Sequence, residues 1–343
     1  MSQTSSTHQF HFVGEGGEYF RIWIVNILLT IVTVGLYSAW AKVRRLRYFH
    51  GSTRLNDVPF QYTGEPMAIL KGRLIVYGAL GIYAMLGELV PLAQPVMILI
   101  FAGLVPWLIV KALRFAARNS QFLGLRFAFR GDYGEALRVF ILWPILLIFT
   151  LGLIYPYIQA RQKTFVVGNH QFGTAKFSLL ATPRQFYAIY ARVLLAFLLL
   201  FFVVGLIFGL MGGRVPKLAP GAGLMFGVIA GIGFYAAILV AFAYLRAKIT
   251  NLVFNHTVLG AHRFESSLEF GPLLWIYLSN LVLIMVTLGL FMPWARVRAA
   301  RYHADNTRLL LDGSLDDFVA RETQSVAAAG GEFADALDID LSL

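Results

Sequence analysis

The chain has 343 residues, of which 58% are hydrophobic and only 14% are charged, and its mean hydropathy is +0.68. This composition excludes an ordinary soluble globular domain and indicates a membrane protein. The formal net charge is +11, although eight of the eighteen acidic residues follow residue 311. The basic residues flank long apolar runs, which is typical of cytoplasmic membrane loops rather than of nucleic-acid-binding proteins. Because cysteine is absent, disulfides and thiolate metal sites are excluded.

Seven apolar stretches approach the length of about 20 residues that a membrane-spanning helix requires. They cover residues 19–41, 69–86, 92–110, 139–158, 186–210, 223–245 and 273–295. Short turns rich in Gly and Pro, at 87–91 and 211–220, predict two tight helical hairpins between neighbouring stretches. The polar N-terminus has no features of a cleaved signal peptide. We therefore predict a polar segment with a strand at 1–18, a repeated membrane domain at 19–311, and a disordered acidic tail at 312–343.

The chain also repeats itself, and the clearest copies follow the first and the last apolar stretch. The segment from Trp40 to Tyr48 matches the segment from Trp294 to Tyr302 in register, and a Thr-x-Gly-Leu turn precedes each segment. The same turn begins at Thr150 and precedes Tyr157 at the equivalent spacing. The first, fourth and seventh apolar stretches are therefore copies of one unit.

A second repeated element follows the basic helix ends and places a polar residue seven positions before a phenylalanine. The pairs are Thr53 with Phe60, Ser120 with Phe127, His170 with Phe177, and Thr257 with Phe264. A turn signal lies inside each interval, which predicts short β-hairpins. Because an isolated hairpin is only marginally stable, we expect the hairpins to assemble together on one side of the membrane. The chain then consists of five tandem units.

Two topologies are compatible with this pattern. If all hairpins lie on one side, the first, fourth and seventh stretches are re-entrant helical hairpins that break at Thr-x-Gly and return to the side they entered. The alternative is seven simple spans, which the length of the stretches favours. That alternative places basic residues such as Arg161, Lys163 and Arg246 outside, against the positive-inside rule. Charge and repetition favour the re-entrant topology.

The repeated motifs resemble the YjgN family of bacterial inner-membrane proteins, whose defining region is a domain of unknown function. The resemblance rests on five segments: the strand 10–14, the turn 33–37, the basic segment 40–44, Tyr-Thr-Gly at 62–64, and the copy at 294–302. Asn56-Asp57 stands where the family pattern favours Asp-Gly, a difference confined to the turn type. The resemblance implies an inner-membrane location and supplies no catalytic residues.

The predicted fold class is an all-α polytopic membrane protein, an internally repeated helical bundle with short β-hairpins on its cytoplasmic face. Basic residues at the helix ends are candidates for binding anionic lipid head groups, at about 1 kcal/mol each, or for orienting the helices. They are Lys42, Arg44, Arg45, Arg47, Arg296, Arg298 and Arg301. The aromatic residues Trp40, Tyr157 and Trp294 occupy equivalent positions, where an amphipathic ring favours the membrane interface.

Polar residues inside the apolar stretches are further candidates. Arg21 and Asn26 lie in the first stretch and Asn280 lies in the seventh. They indicate a polar pathway between repeats or, more simply, a snorkelling arginine and interhelical hydrogen bonds of the asparagines. The sequence has no nucleophile elbow, no phosphate-binding loop and no histidine pair with metal-ligand spacing on a helix. We therefore expect no enzymatic activity, no metal site and no cofactor.

The leading functional hypothesis is a transporter or permeation pathway for a small solute, because repeats and broken helices commonly build sites near the bilayer midplane. The alternative is a lipid-binding or membrane-assembly protein, which the basic belts and the scarcity of intramembrane acids favour. The expected partners are the lipid bilayer and anionic phospholipid head groups, and nucleic acid is not expected. The sequence specifies neither a substrate nor an oligomeric state.

Overall fold

The computed structural model describes residues 5–90, 93–210 and 222–336, so the predicted turn at 211–220 lies outside the described residues. Short strands alternate with helices along these ranges. The strands are β1 (Ser5–Phe12), β2 (Thr53–Leu55), β3 (Val58–Pro59), β4 (Gln61–Tyr62), β5 (Ser120–Phe122), β6 (Leu125–Phe129), β7 (His170–Phe172), β8 (Ala175–Leu179), β9 (Thr257–Leu259), β10 (His262–Ser266) and β11 (Thr307–Asp312).

The helices follow the strands in pairs. They are α1 (Gly16–Val32), α2 (Ser38–Ser52), α3 (Pro66–Leu89), α4 (Ala93–Arg118), α5 (Tyr133–Leu137), α6 (Trp143–Phe149), α7 (Tyr155–Gly168), α8 (Pro183–Leu210), α9 (Ala222–Asn255), α10 (Phe270–Val286), α11 (Met292–Asp305) and α12 (Leu315–Ala336). A π-helical segment, Arg138–Leu142, joins α5 to α6. The last helix, α12, stands outside the paired pattern.

The strands of the described residues form one antiparallel sheet, in the order β3-β2-β1-β11-β10-β9-β8-β7-β6-β5-β4. The two ends of this order, β3 and β4, follow one another in the chain with only Phe60 between them. The stretch from Val58 to Tyr62 thus pairs with β2 on one side and with β5 on the other, which brings the sheet round into a nearly closed barrel. The predicted all-α fold class is therefore wrong, because the hairpins form one continuous sheet.

The register of this barrel repeats from unit to unit and defines an apolar layer inside it. Four of its pairs are Phe10 opposite Leu55, Phe127 opposite Phe172, Phe177 opposite Leu259, and Phe264 opposite Leu309. In the fifth pair, the rings of Phe60 and Phe122 stack with centroids 4.6 Å apart. The seven-residue spacing in the sequence therefore marks the barrel interior. The prediction that the hairpins assemble together is confirmed.

Helix α12 covers the end of the barrel that carries the hairpin turns. Its residues Leu315, Phe318 and Val319 have the spacing i, i+3 and i+4 of a helical face, and they are buried against the apolar layer. The rings of Phe318 and Phe172 lie 5.9 Å apart. The expectation of a disordered tail is therefore corrected for residues 315–336, because three apolar side chains at helical spacing are enough to dock the helix.

One glutamate fastens α12 to a hairpin turn. Oε2 of Glu322 accepts hydrogen bonds from the backbone N–H of Thr174 at 2.6 Å, from its hydroxyl at 2.8 Å, and from the backbone N–H of Ala175 at 3.0 Å. A carboxylate that accepts several such bonds is held more strongly than a neutral acceptor. Glu322 thus holds the helix against the turn between β7 and β8, and we refer to these three hydrogen bonds as the latch.

Every pair of helices leaves the barrel and returns to it. Because β1 pairs with β2, α1 starts and α2 ends at neighbouring strands. In the same way, β6 pairs with β7 at the two ends of the segment α5 to α7. The strands β10 and β11 also pair, at the two ends of the segment α10 to α11. These three short hairpins break at 33–37, 150–154 and 287–291, where the Thr-x-Gly-Leu motif predicts breaks. Among the described helices, α3, α4, α8 and α9 are long and apolar enough to cross a membrane.

The tips of the short hairpins are exposed and apolar. Val34, Leu151 and Leu288 are 93%, 92% and 93% exposed. At the first tip, the backbone N–H groups of residues 33–36 donate to carbonyl oxygens of the same hairpin, and the N–H of Tyr37 donates to the hydroxyl of Thr33 at 2.9 Å. The turn at 287–291 repeats this pattern. Backbone groups satisfied within the turn are what a hydrocarbon environment requires, so these tips are suited to insertion into a bilayer.

Candidate anion-binding cavities

A short linker leads from a strand into the first helix of each unit and positions the helices around the cavities. In three units the linker follows the pattern aromatic-x-Gly, and the glycines are Gly14, Gly64 and Gly131. A Cβ atom on Gly131 would lie 2.5 Å from the ring of Phe129. The other two units have neither the ring nor the glycine, and carry Leu179 with Ala181 and Ser266 with Leu268. Glycine is therefore required where an aromatic ring occupies the space of its side chain.

Two of the predicted head-group arginines brace these linkers instead of pointing into a cavity. Nη2 of Arg301 donates to the carbonyl oxygen of Gly14 at 2.9 Å, and Nη2 of Arg47 donates to that of Gly64 at 3.4 Å. The equivalent side chain in the second unit is Arg114, which donates to Gly131 at 2.8 Å. These cations connect the second helix of one unit to the first helix of the next.

Arg44 and Arg298 occupy equivalent positions, nine residues before a strand, but contact different groups. The guanidinium carbon of Arg44 lies 5.8 Å from the centroid of the Tyr37 ring. Nη1 of Arg298 donates to Oδ1 of Asn280 at 2.7 Å, and Nδ2 of Asn280 donates to the carbonyl oxygen of Ala295 at 3.2 Å. The same position holds Lys111, Arg161 and Lys248 in the other units.

The predicted interfacial aromatic residues belong to a larger set that lies thirteen residues before each first strand. The complete set is Trp40, Trp107, Tyr157, Tyr244 and Trp294. The ring of Trp40 stacks on Tyr37 and that of Trp294 on Phe291, with centroids 6.0 and 5.8 Å apart, and Tyr157 meets Trp143 edge to face at 5.0 Å. The sequence reasoning missed Trp107 and Tyr244, because it aligned the units on their turns and not on their strands.

The first cavity lies between α1, α2, α3 and α11 and has a volume of about 460 Å³. Four cations line it: Lys42, Arg45, Arg73 and Arg296. Nη1 of Arg296 donates to the hydroxyl oxygen of Tyr19 at 3.2 Å, and the guanidinium of Arg73 donates to the hydroxyl of Ser38. Burial and the neighbouring Arg73 and Arg45 lower the pKa of Lys42. Three of the predicted head-group residues thus converge here, together with Arg73.

The second cavity lies between α7, α8, α9 and α11 and has a volume of about 410 Å³. Its basic lining residues are Lys163 of α7, Arg246 of α9 and His303 of α11. Burial and the nearby Arg246 lower the pKa of both Lys163 and His303. The charges of this cavity therefore repel one another, as expected when none of the described lining residues is acidic.

The two cavities occupy equivalent places in the repeat. Arg246, Lys42 and Arg296 each lie eleven residues before a strand. Tyr190 on α8 lines the second cavity, and Trp23 on α1 lines the first cavity. These two residues occupy the same position in their repeat units. Among the described residues that line the two cavities there is no Asp or Glu. Both chambers are electropositive, which favours anionic ligands.

A third cavity lies inside the barrel and has a volume of about 310 Å³. Phe127, Phe177 and Phe264 of the apolar layer form part of its wall. It shares Val253 and Phe254 with the second cavity, so the basic chamber and the barrel interior adjoin. We refer to it below as the barrel cavity.

The two remaining predicted polar residues lie in different surroundings. Arg21 is exposed on the outer face of α1, whereas Asn26 is buried and lines the first cavity. Within the ranges that the structure describes, no group of three or more His, Asp or Glu side chains is arranged to hold a metal ion.

The similarity of this chain to known proteins extends over nearly all five units. Residues 7–336 match the model of a family described as bacterial protein of unknown function (DUF898). The chain belongs to this family. Two relatives of this DUF898 protein carry the name inner membrane protein YjgN, so the resemblance predicted from the repeated motifs is confirmed.

These relatives match along about nine tenths of their length. The protein of Salmonella typhimurium strain LT2 is 28% identical over 370 residues, which cover 92% of this chain and 91% of the relative. The protein of Escherichia coli O157:H7 is 26% identical over 362 residues, which cover 91% and 90%. No solved structure gives a significant match. With four helices among the described residues able to cross a membrane, this DUF898 protein is a multi-pass protein of the bacterial inner membrane.

Proposed function

We propose that this protein forms a gated permeation pathway for small anionic solutes across the inner membrane. The observation that carries the proposal is the adjacency of the second cavity and the barrel cavity, whose walls share Val253 and Phe254. Basic side chains from three helices line the wider part of this route, and the apolar layer of the barrel closes its other end. The route thus combines a chamber that attracts anions with an apolar barrier.

The charge of the chamber supports an anionic solute rather than a cation. Lys163, Arg246 and His303 line it, and no described lining residue is acidic. The pKa values of Lys163 and His303 are lowered because burial and Arg246 disfavour their charged forms. An anion in the chamber offsets this repulsion, because an opposite charge nearby favours the protonated form of a basic group.

The barrier has the character of a hydrophobic gate. Narrow apolar constrictions in channels exclude ions by expelling water, and they conduct once they widen. Here α12 packs Leu315, Phe318 and Val319 against the apolar layer, and Glu322 latches the helix to the turn at Thr174. Release of α12 is therefore the step expected to open the route.

The proposal predicts that weakening the latch increases anion flux. Glu322→Ala removes three hydrogen bonds to a carboxylate, and even one such bond is enough to shift the docking equilibrium of α12 by roughly tenfold. The measurement is the release of chloride, and then of phosphate, from loaded liposomes that contain the full-length protein. The control is Gln324→Ala, an exposed side chain two residues further along the same helix, which should leave the rate at the wild-type value.

A second pair of variants tests the chamber. In the Glu322→Ala background, Lys163→Gln with Arg246→Gln should reduce anion release, because two cations of the lining are lost. Lys248→Gln removes one exposed cation of α9 outside the cavity and should leave release unchanged. If Glu322→Ala liposomes release anions no faster than liposomes without protein, the permeation proposal is wrong.

A further inference from the structure

The first cavity contains a buried hydrogen-bond acceptor that the described part of the protein leaves without a donor. Asn26 lines this cavity with only 7% of its surface exposed, and its Oδ1 has no hydrogen-bond partner among the described residues. Leaving a buried acceptor unpaired is unfavourable, and such groups are rare in folded proteins. Oδ1 itself is enclosed, so a ligand that supplies an O–H or N–H donor would satisfy it once the side-chain amide turns toward the cavity.

The equivalent residue of the fifth unit shows how the protein satisfies this position elsewhere. Oδ1 of Asn280 accepts a hydrogen bond from Arg298 at 2.7 Å. The counterpart of Arg298 in the first unit is Arg44, whose guanidinium lies over the ring of Tyr37 instead. Asn26 therefore faces the cavity without the partner that the repeat provides for Asn280.

Arg73 is a second departure from the repeat at the same cavity. It lies nine residues after Gly64, and the equivalent positions in the other units hold Trp23, Phe140, Tyr190 and Tyr277. An arginine in place of an aromatic ring adds a guanidinium to a cavity that three other cations already line. Gathering four cations without an acidic residue among the described lining is unfavourable unless an anion binds among them.

Different helices give the wall of the cavity different character. The cations extend from α2, α3 and α11, whereas Ile27 and Ile31 of α1 form an apolar wall on the side of the hairpin tip. Ile31 is 69% exposed, one turn before the exposed tip at Val34. A cavity that has both cations and an apolar wall next to an exposed apolar surface suits an amphiphile rather than a fully soluble anion.

We infer that the first cavity binds the head group of an anionic glycerophospholipid, with its phosphate among Lys42, Arg45, Arg73 and Arg296 and a head-group hydroxyl donating to Oδ1 of Asn26. Guanidinium groups bind phosphate oxygens in a bidentate geometry, which suits a site with three arginines. Phosphatidylglycerol carries both the phosphate and the hydroxyl donors. This inference is independent of the permeation proposal, because it concerns a different cavity.

The cation part of the site is tested by titrating the full-length protein in detergent with phosphatidylglycerol and counting bound lipid by native mass spectrometry. The double variant Lys42→Gln with Arg73→Gln should bind about thirtyfold more weakly, because it removes two cations and each cation near a lipid surface contributes about 1 kcal/mol. Arg44→Gln is the control, since it removes one positive charge from α2 outside the cavity and should leave binding near the wild-type value. If Arg44→Gln weakens binding as much as the double variant, the cavity is not the site.

The hydroxyl part of the site is tested by a second variant and a second lipid. Asn26→Leu should weaken phosphatidylglycerol binding about fivefold and leave phosphatidic acid, which has no head-group hydroxyl, unaffected. Equal weakening of both lipids would overturn the assigned role of Asn26. Inorganic phosphate is the competitor: it should fail to displace phosphatidylglycerol, and displacement at equal concentration would show a soluble phosphate site instead. Circular dichroism of each variant confirms that the fold is retained.

Discussion

At the scale of single residues, the aromatic-x-Gly linker is explained by space. The rings of Phe129 and Phe165 are both buried, and a Cβ atom on Gly131 would lie 2.5 Å from the first and 2.8 Å from the second. Such distances cannot be relieved by a flexible side chain, because both groups are aromatic rings in a packed core. The motif was visible in the sequence, but its cause is the packing of the ring on the glycine.

We predict that Gly131→Ala lowers the free energy of unfolding by about 1–3 kcal/mol, the usual cost of overpacking a core. The measurement is the melting temperature of the detergent-solubilised protein. Gly168→Ala is the control, since an added Cβ there meets no atom within 4 Å. The fourth unit carries Leu179 and Ala181 at the positions of Phe129 and Gly131. In a Phe129→Leu background, the loss of stability caused by Gly131→Ala should therefore fall by more than half. An unchanged effect in that background would refute the explanation.

The predicted head-group residues fall into two groups according to what their side chains contact. Lys42, Arg45 and Arg296 line the first cavity, whereas Arg47 and Arg301 brace linkers. The sequence could group these cations by their position after an apolar stretch, but it could not separate them. Their roles depend on which face of the helix meets a neighbouring unit, and that face is set by the barrel.

At the scale of elements, the docking of α12 depends on a histidine in β10. His262 is 4% exposed, its Nδ1 accepts a hydrogen bond from the backbone N–H of Asp312 at 3.1 Å, and its ring lies 4.4 Å from that of Phe318. Burial and the nearby Arg321 lower the pKa of His262, and Asp312 and Glu322 oppose this shift. The folded protein therefore holds the ring neutral, with Nδ1 as an acceptor.

We predict that α12 loosens as the pH falls from about 7.5 to about 5.5, through the ordinary histidine pKa of about 6.5. Because the pKa of His262 is lowered in the docked state, the released state takes up a proton first, so the stability of docking is complete above that pKa and decreases below it. The measurement is the rate of trypsin cleavage at the exposed Arg321, divided at each pH by the rate at which trypsin cleaves a free peptide of the same sequence. His262→Phe should abolish the pH dependence, and a persistent dependence in that variant would contradict the assignment.

The elements with local sequence signals were predictable, and those defined by distant contacts were not. The breaks after Thr33, Thr150 and Thr287 follow from a Thr-x-Gly-Leu motif of four residues. The docking face of α12 rests on only three apolar residues in a tail rich in Ala, Gly and Asp, too short a pattern to outweigh the composition. Composition therefore predicted disorder where a helix docks on the barrel.

At the scale of the whole molecule, the barrel unites five units that are far apart in the chain. β1 and β11 pair between Ser5–Phe12 and Thr307–Asp312, at opposite ends of the sequence. The strands are two to eight residues long, so each alone looks like an isolated hairpin arm in a mostly helical chain. Pairing of this kind has no short-range periodicity, which is why repetition predicted assembly of the hairpins but not closure of the sheet.

The central claim is that all hairpins lie together on the cytoplasmic side, and single cysteines test it directly because the chain has none of its own. Exposed hairpin positions, one for each unit of the barrel, are Asp57, Arg126, Lys176, Ala261 and Arg308. Val90, exposed between α3 and α4, is the control that both topologies place outside.

The measurement is the labelling of each cysteine by a membrane-impermeant thiol reagent in intact spheroplasts and again after the membrane is opened. We predict that the cysteine at Val90 labels in intact spheroplasts, and that the five hairpin cysteines label only once the membrane is opened. Seven simple spans would instead expose Lys176 and Ala261 outside. Labelling of these two positions in intact spheroplasts would contradict the single cytoplasmic barrel.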